Sequence, residues 1–136
     1  MAAALMTGGC LCGQVRYTVN SEPIVSTICH CQDCKRFTGS AFVELMRVPM
    51  EAVNLVGDLK NIDIKGGSGN IIRRHFCPNC SSPIFVEVLR RPGMANFMAG
   101  TLDDPSTFVP QREIFCDYAQ PWLHTSHERE RLPRGV

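Results

Sequence analysis

NIIRRHFCPNCSSPIFVEVL, residues 70–89, reads as two β-strand segments joined through a Cys-X-X-Cys turn. Ile, Phe and Val recur in both arms, 70–76 and 83–89, and Pro78 with Asn79 suits the tight turn between Cys77 and Cys80. Such a turn aims two thiolates at one point, so the stretch predicts a hairpin capped by a metal ion. Strand-like segments recur outward from it. QVRYTV (14–19), PIVSTIC (23–29), AFVELMRV (41–48), MANFMAG (94–100) and REIFCDY (112–118) each carry the period and composition of a short strand. VNLVG and LKNIDIK, within 53–65, predict two more around a Gly57-Asp58 turn. Helix signals are few: one turn from Gln32 to Phe37 and one over PSTF (105–108). The polar tail HTSHERERLPR lies between Pro121 and Pro133 and is expected to be ordered only in part. The expectation is a mainly β domain of antiparallel sheets with many short strands.

The totals bound the function. The chain has 136 residues, the size of one domain, with 44% hydrophobic and 20% charged residues. A formal net charge of +1 gives no global field to recruit nucleic acid or an anionic membrane, and KRFTGS (35–40) offers only two cations. No apolar run approaches the length of a membrane helix, and MAAALMTGG is too short and uncharged for an export signal, so the expected location is the cytoplasm. That compartment is reducing, and closely spaced cysteines there act as metal ligands more often than as disulfides.

Seven of the eight cysteines fall into three clusters: Cys10 and Cys12 in GGCLCG, Cys29, Cys31 and Cys34 in CHCQDC, and Cys77 with Cys80 in CPNC. In an extended segment residues i and i+2 share a face, so Cys10 and Cys12 can reach one ion. Pairing them with Cys77 and Cys80 completes a closed four-sulfur site of the structural type, which would staple the N-terminal segment to the hairpin. CHCQDC is then left with three thiolates, His30 pointing away from them. Three protein ligands and an open position is the pattern of a catalytic zinc. Cys29, Cys31 and Cys34 are therefore the candidate catalytic residues as well as metal ligands, and the expected cofactor is zinc, two per chain. Cys116, His75, His124 and His127 could each supply a fourth ligand and close the second site. Their plainer roles are a core thiol for Cys116 in its strand, a hydrogen-bonded polar residue for His75, and solvated tail residues for His124 and His127.

The ordered set GGCLCGQVRY (8–17), CHCQDCKRFTGSAF (29–42), RHFCPNCSSPIF (74–85), AGTLDDP (99–105) and the late Trp122 resembles the glutathione-dependent formaldehyde-activating enzyme family, which also contains centromere-protein-V-like members. The resemblance covers roughly residues 7 to 125, the core of a single zinc-binding domain over 1–136. It implies a β-tent fold stapled by zinc, with Cys10, Cys12, Cys77 and Cys80 on a structural ion and Cys29, Cys31 and Cys34 on one with an exchangeable position. It also implies carbon–sulfur lyase chemistry on a small thiol partner, the adduct S-hydroxymethylglutathione. Glutathione carries two carboxylates, so cations are expected in its pocket: Lys35 and Arg36 first, Arg73 and Arg74 next. Phe37 and Phe42 are candidates for the pocket wall or for the core. The LDDP stretch (102–105) is expected to be a turn capped by its Asp side chains, with a general-base role open to Asp103 or Asp104. Two other readings compete. One is a non-catalytic, zinc-stapled binding module, and the other is a redox or zinc-buffering protein. The resemblance implies nothing about oligomeric state.

Overall fold

Alternation of apolar side chains along short segments, punctuated by Gly and Pro, produces eleven strands in the computed structural model, which describes residues 5–125 and 129–135. In chain order they are β1 (Met6–Gly9), β2 (Arg16–Val19), β3 (Val25–Cys29), β4 (Val43–Pro49), β5 (Val53–Val56), β6 (Lys60–Lys65), β7 (Ile71–Phe76), β8 (Pro83–Val88), β9 (Met94–Met98), β10 (Arg112–Ile114) and β11 (Glu130–Arg131). One α-helix, α1 (Gln32–Thr38), follows β3. No helix among the described residues is long and apolar enough to cross a membrane.

The hairpin around CPNC forms as its composition dictates. β7 and β8 pair antiparallel, with a register shift at His75/Phe76 where the chain bends toward Cys77. The turn closes through Ser81 N–H donating to the Cys77 carbonyl at 2.8 Å, with Ser81 itself left-handed at φ 64°. β8 then joins β9, β4, β3, β10 and β11 on one side and β7–β6 on the other, in an eight-stranded sheet of order β11-β10-β3-β4-β9-β8-β7-β6. The remaining strands form a three-stranded sheet, β1-β2-β5. All pairings are antiparallel except β10 with β3 and with β11, so the expected antiparallel character holds apart from this mixed edge.

The core lies where the small sheet covers one face of the large one. β2 turns Tyr17 and Val19 inward, while β4 contributes Met46 and Val48 and β9 contributes Ala95 and Phe97. Tyr17, Phe97 and Phe85 form a contiguous aromatic stack with ring centroids 4.7 and 4.8 Å apart, and His75 lies on Phe85 at 4.0 Å. The Thr101 hydroxyl donates to the Met98 carbonyl at 2.7 Å, which leaves its oxygen to accept from the Tyr17 hydroxyl, also at 2.7 Å. Gly8 is required by this approach, because a Cβ there would run into the end of the Tyr17 ring and the Thr101 carbonyl.

Three expectations are corrected. VNLVG and LKNIDIK do form strands, but not a hairpin with each other: β5 pairs with β2 in the small sheet and β6 with β7 in the large one. The chain changes sheet at Gly57, whose φ of +101° and contact with the Gln14 carbonyl leave no room for a side chain. REIFCDY is a strand only as far as Ile114, because Phe115 is left-handed at φ 56° and Cys116–Tyr118 is a single 3-10 turn. The helix after the cysteines runs to Thr38, one residue past expectation, and is stopped by Gly39 at φ 70°, whose N–H donates to the Lys35 carbonyl at 2.7 Å. The tail is partly ordered as expected, since Leu132 N–H donates to the Glu113 carbonyl at 2.9 Å and Cys116 N–H to that of Leu132 at 2.9 Å.

Phe97 is fully buried at the centre of the aromatic stack. Phe97→Ala should therefore cost about 3–5 kcal/mol in denaturant unfolding. Tyr17→Phe, which loses one hydrogen bond and leaves Thr101 bonded to Met98, should cost about 1 kcal/mol.

Candidate active site

Cys29 is the last residue of β3, and Cys31 is the N-cap of α1. The Cys31 sulfur accepts from the Cys34 N–H at 3.3 Å, which fixes Cys34 one turn on and aims it back at β3. Ligand atoms of Cys29, Cys31 and Cys34 lie within 4.8 Å of one another, and the Cys34 and Cys29 sulfurs are 3.6 Å apart. Hydrogen bonds from the Cys29 thiol and then the Cys34 thiol hold Cys31 down at about 3, whereas Cys29 is pushed up to about 12 chiefly by its neighbour Cys31.

His30 points away from this cluster, as expected. It is fully buried, with Nε2 2.8 Å from Glu113 Oε1. Glu113 is the residue that sequence reasoning missed. The signal was available, because a glutamate in the apolar stretch REIFC sits on β10 with no exposure at all. Arg129 and Arg131 bring their Nε atoms to 3.6 and 3.8 Å of its second oxygen. Burial works to raise the Glu113 pKa, but the His30 hydrogen bond and the Arg131 charge help outweigh it and hold it below the usual range. Cys116 gathers with His30 and Glu113, half-buried in the 3-10 turn. It is neither the core strand thiol expected nor a fourth ligand for the three-cysteine cluster. His75 is bonded to Glu87 at 2.5 Å and His124 is exposed, while His127 lies outside the described residues. Among the described residues the Cys29–Cys31–Cys34 group thus stands as a trio.

Cys10, Cys12, Cys77 and Cys80 meet at the opposite side of the core, again with ligand atoms within 4.8 Å. The Cys10–Cys12 and Cys12–Cys77 sulfurs are 3.5 and 3.7 Å apart. Sulfurs on a tetrahedral zinc at about 2.3 Å stand roughly 3.8 Å from one another, whereas a disulfide closes to about 2.05 Å. The spacings in both clusters fit a shared ion and exclude bridges, and all eight cysteines are free. Val15 N–H donates to the Cys10 sulfur at 3.2 Å and the Ser82 hydroxyl lies 3.1 Å from that of Cys80. Such bonds from Ser82 hold Cys80 down at about 5.

The trio lines a cavity of about 280 Å³, and none of Cys10, Cys12, Cys77 and Cys80 does. Its wall is the outer face of the large sheet, with Thr27 and Cys29 from β3, Leu45 from β4 and Met98 from β9, closed over by Phe37 of α1 and by Phe115. Of the expected cations only Arg74 lines it, its guanidinium 4.7 Å over the Phe37 ring and Nη2 donating to the Asp33 carbonyl at 3.3 Å. Lys35 instead ties down the chain beyond β10, donating to the Tyr118 carbonyl at 2.5 Å and Gln120 Oε1 at 3.1 Å. Arg36 is exposed away from the cavity, and Arg73 is paired with Asp63 at 2.8 and 3.0 Å. Phe42 lies on the other side, facing His30 at 6.0 Å. The cations that do line the cavity besides Arg74 are Arg47, Arg90, Arg91 and Arg112, far apart in sequence from the cysteines.

Residues 5–118 match the glutathione-dependent formaldehyde-activating enzyme family. The chain belongs to that family. A Halomonas elongata protein carrying the name "Putative glutathione-dependent formaldehyde-activating enzyme" is 27% identical over 146 residues, covering 96% of this chain and 88% of that protein. A crystal structure of a Rhodobacter sphaeroides protein superposes with a TM-score of 0.55 at 19% identity, over 72% of this chain and 88% of that one, and shares the fold. Within the family pattern the LDDP stretch is structural here. Asp104 caps Ser106 N–H at 3.2 Å, while Asp103 accepts from Arg16 Nη1 at 2.9 Å and from Thr7 Oγ1 at 2.7 Å. Neither lines the cavity, so the general-base role is withdrawn from both.

Two outcomes follow from these pairs. Glu113→Ala leaves His30 buried without its partner and should cost about 3–5 kcal/mol in equilibrium unfolding. The Arg16 guanidinium, then Thr7, lowers Asp103 from 3.8 to about 2. Its contribution to stability is therefore complete above 3.8 and disappears as pH falls through 2. Solvent screening of this exposed pair keeps the effect small. Asp103→Asn should lower Tm slightly at neutral pH, and the gap from the parent protein should close in acid.

Proposed function

We propose that the protein is a zinc-dependent carbon–sulfur lyase of the formaldehyde-activating type, acting on a thiol adduct such as S-hydroxymethylglutathione. The observation that carries this reading is the contrast between the two cysteine groups: none of the four grouped sulfurs lines the 280 Å³ cavity, and all three of the trio do. Cys10, Cys12, Cys77 and Cys80 would hold a structural zinc and Cys29, Cys31 and Cys34 a second. When bound at the trio, zinc supplies a positive charge that favours the thiolate of an incoming thiol.

The reaction joins the thiol sulfur to the formaldehyde carbon. The S–C bond forms as the C=O π bond opens, and the proton lost by the thiol ends on the hydroxymethyl oxygen. The chain's part is to place and shelter the sulfur. Leu45, Met98, Ile114 and Phe37 give the sulfur an apolar surround, which lowers the local dielectric and limits competing hydration of the aldehyde. His30 and Glu113, paired on the face away from the cavity, hold the backbone between Cys29 and Cys31 against β10.

The test combines metal content with exchange kinetics. Protein purified without chelator should carry two zinc ions per chain, and should speed the exchange of glutathione, formaldehyde and adduct, followed by NMR, above the uncatalysed rate. Cys31→Ser should reduce exchange to background while retaining one zinc and the parent circular dichroism. Parent-like exchange in that variant would rule the trio out as the reacting site.

A further inference from the structure

β10 breaks its own alternation where it meets the trio. Arg112 and Ile114 line the cavity, and Glu113 between them points the other way, to His30. Regular continuation of the strand would send Phe115 to the Glu113 side, away from the sulfurs. Phe115 lines the cavity beside Ile114 instead, because its left-handed backbone, φ 56° and ψ 41°, turns the side chain over. That conformation is costly for an aromatic residue and persists only where the surroundings enforce it. The ring packs against the apolar group of Cys29, Val43 and Met98, as do Cys31 and Cys34. It has no part in the core built on Tyr17, Phe85 and Phe97.

The enforcement comes from residues 132–135, which run across the exit of β10 as a strap. Leu132 N–H donates to the Glu113 carbonyl at 2.9 Å. The strap's own carbonyls then take three amides: Cys116 N–H reaches Leu132 at 2.9 Å, Asp117 N–H reaches Pro133 at 3.2 Å, and Phe115 N–H reaches Arg134 at 3.2 Å. The strap thus satisfies backbone donors that the turn at Phe115 removes from the sheet. Gly135 lies on the ring itself. A Cβ there would stand 3.0 Å from Cζ and 3.1 Å from Cε2 of Phe115, closer than ordinary contact. Tyr118 adds a second support, its ring centroid 6.5 Å from that of Phe115 and its N–H donating to the Phe115 carbonyl at 3.0 Å. A strained backbone, a bare glycine against the ring and a set of amides committed to the strap all serve one placement. They hold an aromatic ring against three sulfurs.

We propose that Phe115 is a positioning residue for the trio: locked over Cys29, Cys31 and Cys34 by the strap, its ring shields an ion held there from bulk solvent, and lifting of the strap lets that ion exchange. The inference rests on the trio as a metal site and is independent of the carbon–sulfur reaction.

The test follows zinc leaving the fully loaded chain into a chromophoric chelator. The trio's release phase is the one that Cys31→Ser lacks, and the four-cysteine group, which does not line this cavity, is the internal control. Phe115→Gly should speed release from the trio at least about tenfold and leave release from the other group unchanged. Its Tm should move by less than about 5 °C, because relief of the left-handed strain offsets the lost contact. Phe115→Tyr keeps the ring and should release zinc at the parent rate. Gly135→Val, at an exposed position, forces either the ring or the strap to move and should speed the trio's phase alone. It carries the test where Phe115→Gly lowers the yield of folded protein. Parent-like release from the trio in both Phe115→Gly and Gly135→Val would overturn the proposal. So would equal acceleration at both sites, which marks general loosening, or a parent chain that holds no zinc at the trio. Faster release in these variants of a chain without formaldehyde exchange would keep the cover and remove only the reaction.

Discussion

The pleat of the large sheet is the constraint on which core and site both depend. β4 sends Met46 and Val48 into the core and Leu45 and Arg47 into the cavity, and β9 divides Ala95 and Phe97 from Asn96 and Met98 in the same way. Successive side chains of a strand point to opposite faces, so a slip of one residue in β4 would bury Arg47 among Tyr17, Phe85 and Phe97 and turn Met46 out toward the cavity. The aromatic stack on one face thereby sets the positions of Cys29 and the arginines on the other. Packing energy and binding chemistry occupy alternate residues of the same strands.

The buried pair behind the cysteines works through the same alternation. β3 places Cys29 and Thr27 toward the cavity and Ser26 and Ile28 away from it, and His30 continues that second face to meet Glu113 of β10. A glutamate with no exposure would be costly unless compensated. Here His30 on one oxygen, with Arg129 and Arg131 near the other, brings the C-terminal segment back onto the sheet. The parallel pairing of β10 with β3 and β11 thus rests on charge as well as on the ladder.

The two cysteine groups differ in their place relative to the cavity. Cys77 is fully buried and Cys10 nearly so, beneath a turn stitched by Ser81 and Ser82, so an ion there would tie β1's end to the β7–β8 hairpin. The trio lies between a strand end and a helix cap, where backbone geometry alone converges the sulfurs and leaves one side open.

Composition and spacing by themselves determined the β class, nearly every strand segment, the hairpin around CPNC, the grouping of seven cysteines into four plus three, and the outward turn of His30. These are local matters: period-2 alternation, a two-residue turn, and the i, i+2 geometry of an extended chain. Only the tertiary structure decided that β5 and β6 part company at Gly57, that Phe115 ends its strand, that Glu113 answers His30, and that the cavity cations are Arg47, Arg90, Arg91 and Arg112 rather than Lys35, Arg36 and Arg73. Each depends on which strands lie side by side. A sequence window records which way a side chain alternates, but not which neighbour, sheet or cavity that direction meets.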